Sequence, residues 1–191
     1  MLAFTVGLTA CEDRGAGPGD TGIALETRAG SPGSPRPAVG PAAMLSDANI
    51  LYLLDAANRA DSAAGALAVT KGTSSDVRQF GTRMVRDHHG LRTQAQALMK
   101  RLAITPSAAA GDTTQAGIDR AMARLNGAAK GRDFDKAYMD HEVANHKVVL
   151  ETLIAGMNAA QSAELQNLIQ KAAPVIQGHL DLAQSIQAGL Q

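Results

Sequence analysis

Four long segments of the chain place apolar residues at steps of three and four, which is the periodicity of amphipathic α-helices. They cover residues 46–71, 74–102, 133–158 and 162–190 of the 191-residue sequence. Aromatic residues make up only 3% of the sequence and tryptophan is missing from it, whereas a sandwich or barrel would need many β-branched and aromatic residues. The pattern therefore predicts an all-α fold in which each helix buries one stripe.

Local signals mark where these helices begin and end. Serine is a favourable N-cap residue and glycine a favourable residue just past a helix. Such residues stand at the expected boundaries: Ser46, Ser74 or Ser75, and Ser162 at helix starts, and Gly72 after the first helix. We therefore expect a helical domain that covers residues 46–191.

Each stripe contains one polar residue at a position where the periodicity would place an apolar side chain. The four residues, one per helix, are Asp61, His88, His146 and His179. An unpaired carboxylate or imidazole is costly to bury, so we expect these side chains to satisfy one another or to share a ligand. Two interpretations remain open at this point: a buried hydrogen-bond network, or a site for one transition metal ion. A nitrogen-rich ligand set suits Zn, Cu, Fe or Ni better than Mg or Ca.

Further polar residues lie close to these four. Asp87 is at the edge of its stripe, and Glu142 lies one turn before His146 on the same side of the helix. Both are candidate outer ligands, or partners that orient the histidines. His89 and His141 are rotated away from the buried histidines of their helices by about 100° and 140° respectively, and we expect both on the surface.

The connection of residues 104–132 decides whether the four polar residues meet. It is long for a turn between neighbouring helices, and residues 114–128 inside it predict a short amphipathic helix. If this connection crosses the length of the molecule, the four polar residues fall within one layer about 8 Å thick. With a simple up-down-up-down order, their heights would range from about 15 to 30 Å. We therefore predict a long crossover between the second and third long helices.

The first 45 residues predict an export signal and a tether. A short apolar run ends in Leu8-Thr9-Ala10-Cys11, which resembles a bacterial lipoprotein signal whose cysteine is lipidated. We expect residues 1–11 to act as this signal, with a lipid on Cys11 that anchors the protein to a membrane surface. Residues 12–45 are rich in Gly, Pro and Ser, which is typical of a disordered tether.

Charge and motif content argue against several functional classes. Lysine plus arginine equals aspartate plus glutamate, at 18 each, so no basic surplus points to nucleic acid. The sequence contains one cysteine, so no intrachain disulfide can form. It has no P-loop, dinucleotide fingerprint or recognisable nucleophile set, so we do not expect an enzyme of those classes.

Three sequence motifs together resemble domain-of-unknown-function family 4142, a family of bacterial envelope proteins. Residues 77–88 read VRQFGTRMVRDH, residues 134–139 read FDKAYM ahead of His146, and Pro174 precedes His179. The resemblance covers residues 47–190. It implies a ferritin-like four-helix bundle and a place on the periplasmic side of the cell envelope, at the outer membrane rather than the inner one.

The resemblance carries no established activity, and it departs from the ferritin-like pattern in one respect. Di-iron members of that superfamily use Glu-x-x-His motifs, whereas Glu142 and His146 are four residues apart. Many relatives carry glutamate where this chain has Asp61. A dinuclear oxidase or iron-storage centre is therefore not expected.

Two functions agree with these observations. In the first, the protein is an exported envelope lipoprotein whose helical bundle is a structural module for an envelope protein or a cell-wall partner. The polar layer is then a buried network. In the alternative, the protein binds one transition metal ion for sensing, buffering or redox chemistry.

Overall fold

The structure, a computed structural model, describes residues 45–190. The residues predicted to form the signal and the tether, including Cys11, lie outside this range except for Leu45. Helices are the only regular secondary structure within the described residues, so the prediction of an all-α fold is confirmed. They are α1 (Asp47–Lys71), α2 (Ser75–Leu102), α3 (Thr114–Gly127), α4 (Arg132–Ala159) and α5 (Ala163–Gly189).

The helices begin close to the residues that the sequence indicates, for local reasons. The Ser46 hydroxyl accepts a hydrogen bond from the Asn49 backbone N–H, and the Asn49 side chain in turn accepts one from the Ser46 N–H, which forms a capping box at the start of α1. The Ser162 hydroxyl accepts a hydrogen bond from the Leu165 N–H at the start of α5. Each cap satisfies backbone donors that the first turn leaves unpaired.

The hydrogen bonds of two aspartates show the relative directions of the long helices. Asp135, in the first turn of α4, accepts hydrogen bonds from the backbone N–H groups of Thr73 and Ser74, at 3.0 and 2.8 Å, where α2 begins. Asp47, in the first turn of α1, accepts hydrogen bonds at 2.8 and 3.0 Å from two backbone N–H groups of the turn between α4 and α5. The first turn of α4 therefore lies beside the last turn of α1, and the first turn of α1 lies beside the last turn of α4. These two helices are antiparallel, and α4 is parallel to α2.

The short helix α3 lies in the long connection and packs against α1 and α4. Lys71 binds the C-terminal end of α3. Its ammonium group donates hydrogen bonds to the carbonyl oxygens of Leu125, Asn126 and Ala128 at 3.1, 2.8 and 2.6 Å. A cation at the C-terminal end of a helix also interacts favourably with the helix dipole. The connection thus covers one side of α1 and α4 while it returns the chain to the start of α4.

A layer of polar side chains divides the core into two apolar clusters. One cluster contains Phe80, Met84 and Phe134, and the other contains Ile50, Leu54 and Ile169. Between them lie six buried polar residues: Asn58, Asp61, His88, Glu142, His146 and His179. Four helices supply this layer, which places the three histidines at the centre of the molecule.

Candidate metal site

Three histidines from three helices converge at the middle of the core. His88 on α2, His146 on α4 and His179 on α5 are each at most 2% exposed. Their ring centroids are separated by 5.2 to 5.6 Å. One ring nitrogen of each histidine lies within 4.8 Å of a nitrogen of each of the other two. We call these residues the three-histidine cluster.

A neighbouring amide fixes the protonation of the His88 ring. The His88 Nδ1 lies 2.9 Å from Asn58 Oδ1, and the Asn58 amide nitrogen donates to the Leu54 carbonyl at 2.7 Å. That second bond orients the amide so that its oxygen, which can only accept, faces the imidazole. Nδ1 therefore carries the proton, and Nε2 keeps its lone pair.

The other two histidines are held in the same way by groups that accept hydrogen bonds. The His146 Nδ1 lies 3.0 Å from the backbone carbonyl oxygen of Glu142. The Glu142 Oε2 lies 3.3 Å from the same nitrogen without completing a hydrogen bond, so it acts as an electrostatic contact. The His179 Nε2 lies 3.0 Å from Asp87 Oδ2. The lone pairs are thus left on His146 Nε2 and His179 Nδ1.

The three nitrogens that retain lone pairs form a site that fits a metal ion. Among residues 45–190, no hydrogen-bond partner exists for His88 Nε2, His146 Nε2 or His179 Nδ1. Leaving a buried polar atom unpaired costs about 1–3 kcal/mol, so three in one place require an explanation. A transition metal accepts imidazole lone pairs at about 2.0–2.1 Å, and metal-binding histidines usually donate their second N–H to an oxygen acceptor. These three histidines meet the second condition, and one ring nitrogen of each lies within 4.8 Å of those of the other two.

The electrostatics favour neutral rings at two of the three positions. Burial, together with the neighbouring His146 and His179 rings, lowers the pKa of His88 to about 3. Burial also lowers the pKa of His179 below its ordinary value, against the opposing effect of Asp87. At His146, burial acts to lower the pKa, but the contacts with Glu142 and the charge of Asp61 raise it above its ordinary value. Of the three rings, His146 is therefore the one at which a metal ion competes most strongly with a proton.

Two buried carboxylates lie beside the three-histidine cluster. Asp61 on α1 and Glu142 on α4 are both 0% exposed. The Asp61 Oδ1 accepts a hydrogen bond from the Asn145 amide at 2.6 Å, and its Oδ2 lies 3.6 Å from His88 Nδ1. Burial and the charge of Glu142 raise the pKa of Asp61 to about 7. Burial and the same Glu142 charge raise the pKa of Tyr138 well above its ordinary value, so its phenol stays neutral.

The structure brings together the residues that the sequence singled out, but in two groups. His88, His146 and His179 form one group, while Asp61 lies with Glu142 and His141 in the other. Asp87 and Glu142 contact the outer nitrogens of His179 and His146, which is the arrangement of orienting partners. Asp61 therefore lies beside the outer nitrogen of His88 and not at the point where the three lone pairs meet.

Two residues near the site escaped the sequence reasoning, and one prediction about the surface was wrong. Asn58 and Asn145 were not singled out, although Asn58 lies three positions before Asp61 and four after Leu54, which is a core spacing. His89 is exposed as expected. His141 is half-buried, because α3 covers that side of α4, and helical periodicity alone cannot show this cover.

Together, the fold and the site define an all-helical protein with buried histidine and acidic groups that could hold a metal ion. The chain belongs to the family described as Domain of unknown function (DUF4142), whose family model matches residues 33–186. No curated protein and no solved structure matches the chain at a significant level. Among the described residues, none of the helices is both long and apolar enough to cross a bilayer.

Proposed function

We propose that this protein binds one transition metal ion at His88, His146 and His179. The observation that supports the proposal is the set of three inward ring nitrogens whose outer nitrogens are all bonded to oxygen acceptors. A core that needed only buried hydrogen bonds would pair both nitrogens of each ring. Here the outer nitrogens are paired and the inner ones are not.

The ligand set favours particular ions. Imidazole nitrogens suit Zn, Cu, Fe and Ni, while Mg and Ca prefer oxygen. Three protein ligands leave one coordination position for a water or another small molecule, as in zinc sites that remain reactive. When bound, the metal would supply a Lewis acid with this open position. The chain itself orients the three rings through acceptors at their outer nitrogens, and the carboxylates of Asp61 and Glu142 would balance the added positive charge.

We propose further that the domain is a ferritin-like four-helix bundle. Support comes from four helices of 25 to 28 residues, the parallel directions of α2 and α4, and the polar layer midway along the core. Ferritin-like bundles place their metal ligands at this position, between facing helices. The present ligands differ from the usual Glu-x-x-His pairs, so the proposal concerns the architecture and not di-iron chemistry.

A location in the cell envelope is a separate proposal that rests on the sequence. The Leu8-Thr9-Ala10-Cys11 motif and the tether-like composition of residues 12–45 support a lipid-anchored protein. Mass spectrometry of the protein isolated from its native membranes tests this. A lipid-modified mature N-terminus at Cys11 is the expected result, and an unmodified Cys11 would contradict it.

Metal binding is tested on protein purified without a histidine tag. We expect Zn²⁺, Cu²⁺ or Ni²⁺ to raise the melting temperature, since a ligand at 100 times its Kd stabilises the folded state by about 2.7 kcal/mol. His179→Ala should show a smaller shift than the parent, whereas the exposed His89→Ala should keep the full shift. No shift in the parent protein, or equal shifts in both variants, would refute the metal site. The first outcome would favour the structural module instead.

A further inference from the structure

We infer that Asp61, His141 and Glu142 form a second cation-binding site beside the three-histidine cluster. One ligand atom from each of these residues lies within 4.8 Å of the corresponding atoms of the other two. The inference goes beyond the proposed single-metal centre, because it rests on different residues. None of the three belongs to the three-histidine cluster.

The unpaired oxygen atoms of this group point to a cation. Within the described part of the chain, both carboxylate oxygens of Glu142 and the Oδ2 of Asp61 lack a hydrogen-bond partner, although both residues are fully buried. Buried carboxylates are normally paired, hydrogen-bonded or bound to a metal. One carboxylate oxygen of Asp61 lies within 4.8 Å of one of Glu142, so a single ion can contact both residues.

The charges around the two carboxylates lead to the same conclusion. Among residues 45–190, Asp61 and Glu142 form ion pairs only with His88 and His146, and neither contacts a lysine or an arginine. Two buried carboxylates this close repel each other strongly when both are ionised. Partial charge on one imidazole does not neutralise both carboxylates. A divalent cation would neutralise both at once.

His141 completes the ligand set, because one of its ring nitrogens lies within 4.8 Å of a carboxylate oxygen of Asp61 and of Glu142. Two carboxylates and one imidazole suit Zn²⁺ or Mn²⁺, since both accept a mixture of oxygen and nitrogen ligands. This group is richer in oxygen than the three-histidine cluster and should therefore bind a harder cation more readily than that cluster does.

A pocket of about 320 Å³ leads from the surface towards this group. It lies under α3, and His141 and Asn145 form part of its wall. Asn145 donates the hydrogen bond to Asp61, so one residue of the pocket wall contacts a carboxylate of this group. Arg120 also lines the pocket, but its side chain is exposed, and solvent screens its charge. A cation that enters here would meet His141 before it meets either carboxylate.

The two groups can be removed separately, because His141 is not one of the three clustered histidines and His179 is not part of the second group. The experiment loads the full untagged chain with Zn²⁺, removes loose ions by gel filtration, and measures zinc per chain by elemental analysis. We expect two zinc ions per chain in the parent protein and in His89→Ala. We expect one in His141→Ala and one in His179→Ala.

One zinc per chain in both the parent and His141→Ala would overturn the second site and leave the proposed three-histidine site intact. No bound zinc in the parent would overturn both. Circular dichroism checks that each variant is folded. If His141→Ala does not fold, His141→Gln, which preserves more of the side-chain volume, replaces it, and it should bind the second zinc at least tenfold more weakly than the parent. Equal affinity in His141→Gln and the parent would also contradict the second site.

Discussion

His179 on α5 donates a hydrogen bond from Nε2 to Asp87 Oδ2 on α2, with 3.0 Å between the two atoms. Burial acts to raise the pKa of Asp87, but the hydrogen bonds from Arg86 and His179 hold that pKa below its ordinary value. The carboxylate is therefore ionised and can only accept. This fixes the His179 tautomer and leaves a lone pair on Nδ1, in a ring whose centroid lies 5.2 Å from that of His88 and 5.5 Å from that of His146.

Because Asp87 orients His179, its removal should weaken metal binding without abolishing it. Loss of a carboxylate that orients a metal-binding histidine typically lowers affinity by about 10- to 100-fold. We expect this loss of Zn²⁺ affinity in Asp87→Ala, measured by isothermal titration calorimetry. Asp140→Ala is the control, since Asp140 is an exposed carboxylate that pairs with Lys136. Equal affinities in the two variants would show that Asp87 does not position the ring.

The close approach of α1 and α2 gives a prediction about stability. A Cβ atom at Gly81 would lie 2.7 Å from the Gly65 carbonyl oxygen, and a Cβ at Gly65 would lie 2.7 Å from the Gly81 oxygen. Gly81→Ala must therefore push the two helices apart, and we expect a loss of about 1–3 kcal/mol in urea unfolding.

Gly90 on the same helix provides the matched control. A Cβ there meets nothing within 4 Å, so Gly90→Ala should stabilise the protein by up to about 1 kcal/mol through helix propensity. If both alanine variants change stability in the same direction, the helices do not approach each other as closely as described.

Asp135 in α4 caps the start of α2 and so joins the pair α1 and α2 to the pair α4 and α5. The loss of this cap should therefore destabilise the whole fold. The Asp135 carboxylate accepts hydrogen bonds from the Thr73 N–H and hydroxyl and from the Ser74 N–H. Hydrogen bonds to a charged group contribute about 1.5–3 kcal/mol. We expect Asp135→Asn to lose about this much in thermal or urea unfolding. Asp133→Asn, an exposed change in the same helical turn, should have little effect, and a comparable loss there would contradict the role of the cap.

The buried position of Asp61 predicts a pH dependence of stability in the metal-free protein. Its pKa is about 7 in the folded state against the ordinary 3.8, so between these values the folded state binds a proton that the unfolded state does not. Stability from this group therefore falls as pH rises from 3.8 to 7 and is constant above that. His88, whose pKa is shifted downward, contributes a stability that depends on pH in the opposite direction. The Asp61 contribution must therefore be isolated by comparing the parent protein with a variant that lacks this carboxylate.

Asp61→Asn removes the Asp61 contribution, together with the part of the His146 pKa shift that the Asp61 charge causes. The unfolding free energy of the variant, minus that of the parent, should increase by at least about 1 kcal/mol between pH 4.5 and 7.5, after dialysis against a chelator. Any constant effect of the amide cancels in this difference. A difference that is flat or decreases with pH would show that Asp61 ionises normally in the folded state.

The sequence predicts more of the helices than of the side chains around the site. The boundaries of α1 and α5 follow from Ser46, Ser162 and the apolar periodicity, because caps and stripes are local properties. The presence of Asp61, His88, His146 and His179 in one layer followed from their heights along the helices. Periodicity gives the face of a helix on which a residue lies, but not the neighbour that covers it.

This limit explains the partition of the site into two groups. His141 faces away from the buried stripe of α4, and its partial burial depends on the path of α3. The separation of Asp61 from the three lone pairs depends on the rotamers and tautomers that Asn58 and Asn145 impose. Such side-chain contacts between helices have no periodic signature, so only the three-dimensional structure reveals them.

The most direct test of the metal site is anomalous diffraction from crystals of the untagged protein grown with Zn²⁺, with data collected above and below the zinc absorption edge. We expect an anomalous peak about 2.0–2.1 Å from His88 Nε2, His146 Nε2 and His179 Nδ1, the usual Zn–N distance. A map with zinc bound elsewhere and no peak among these three nitrogens would contradict the assignment of the three-histidine cluster as a metal centre.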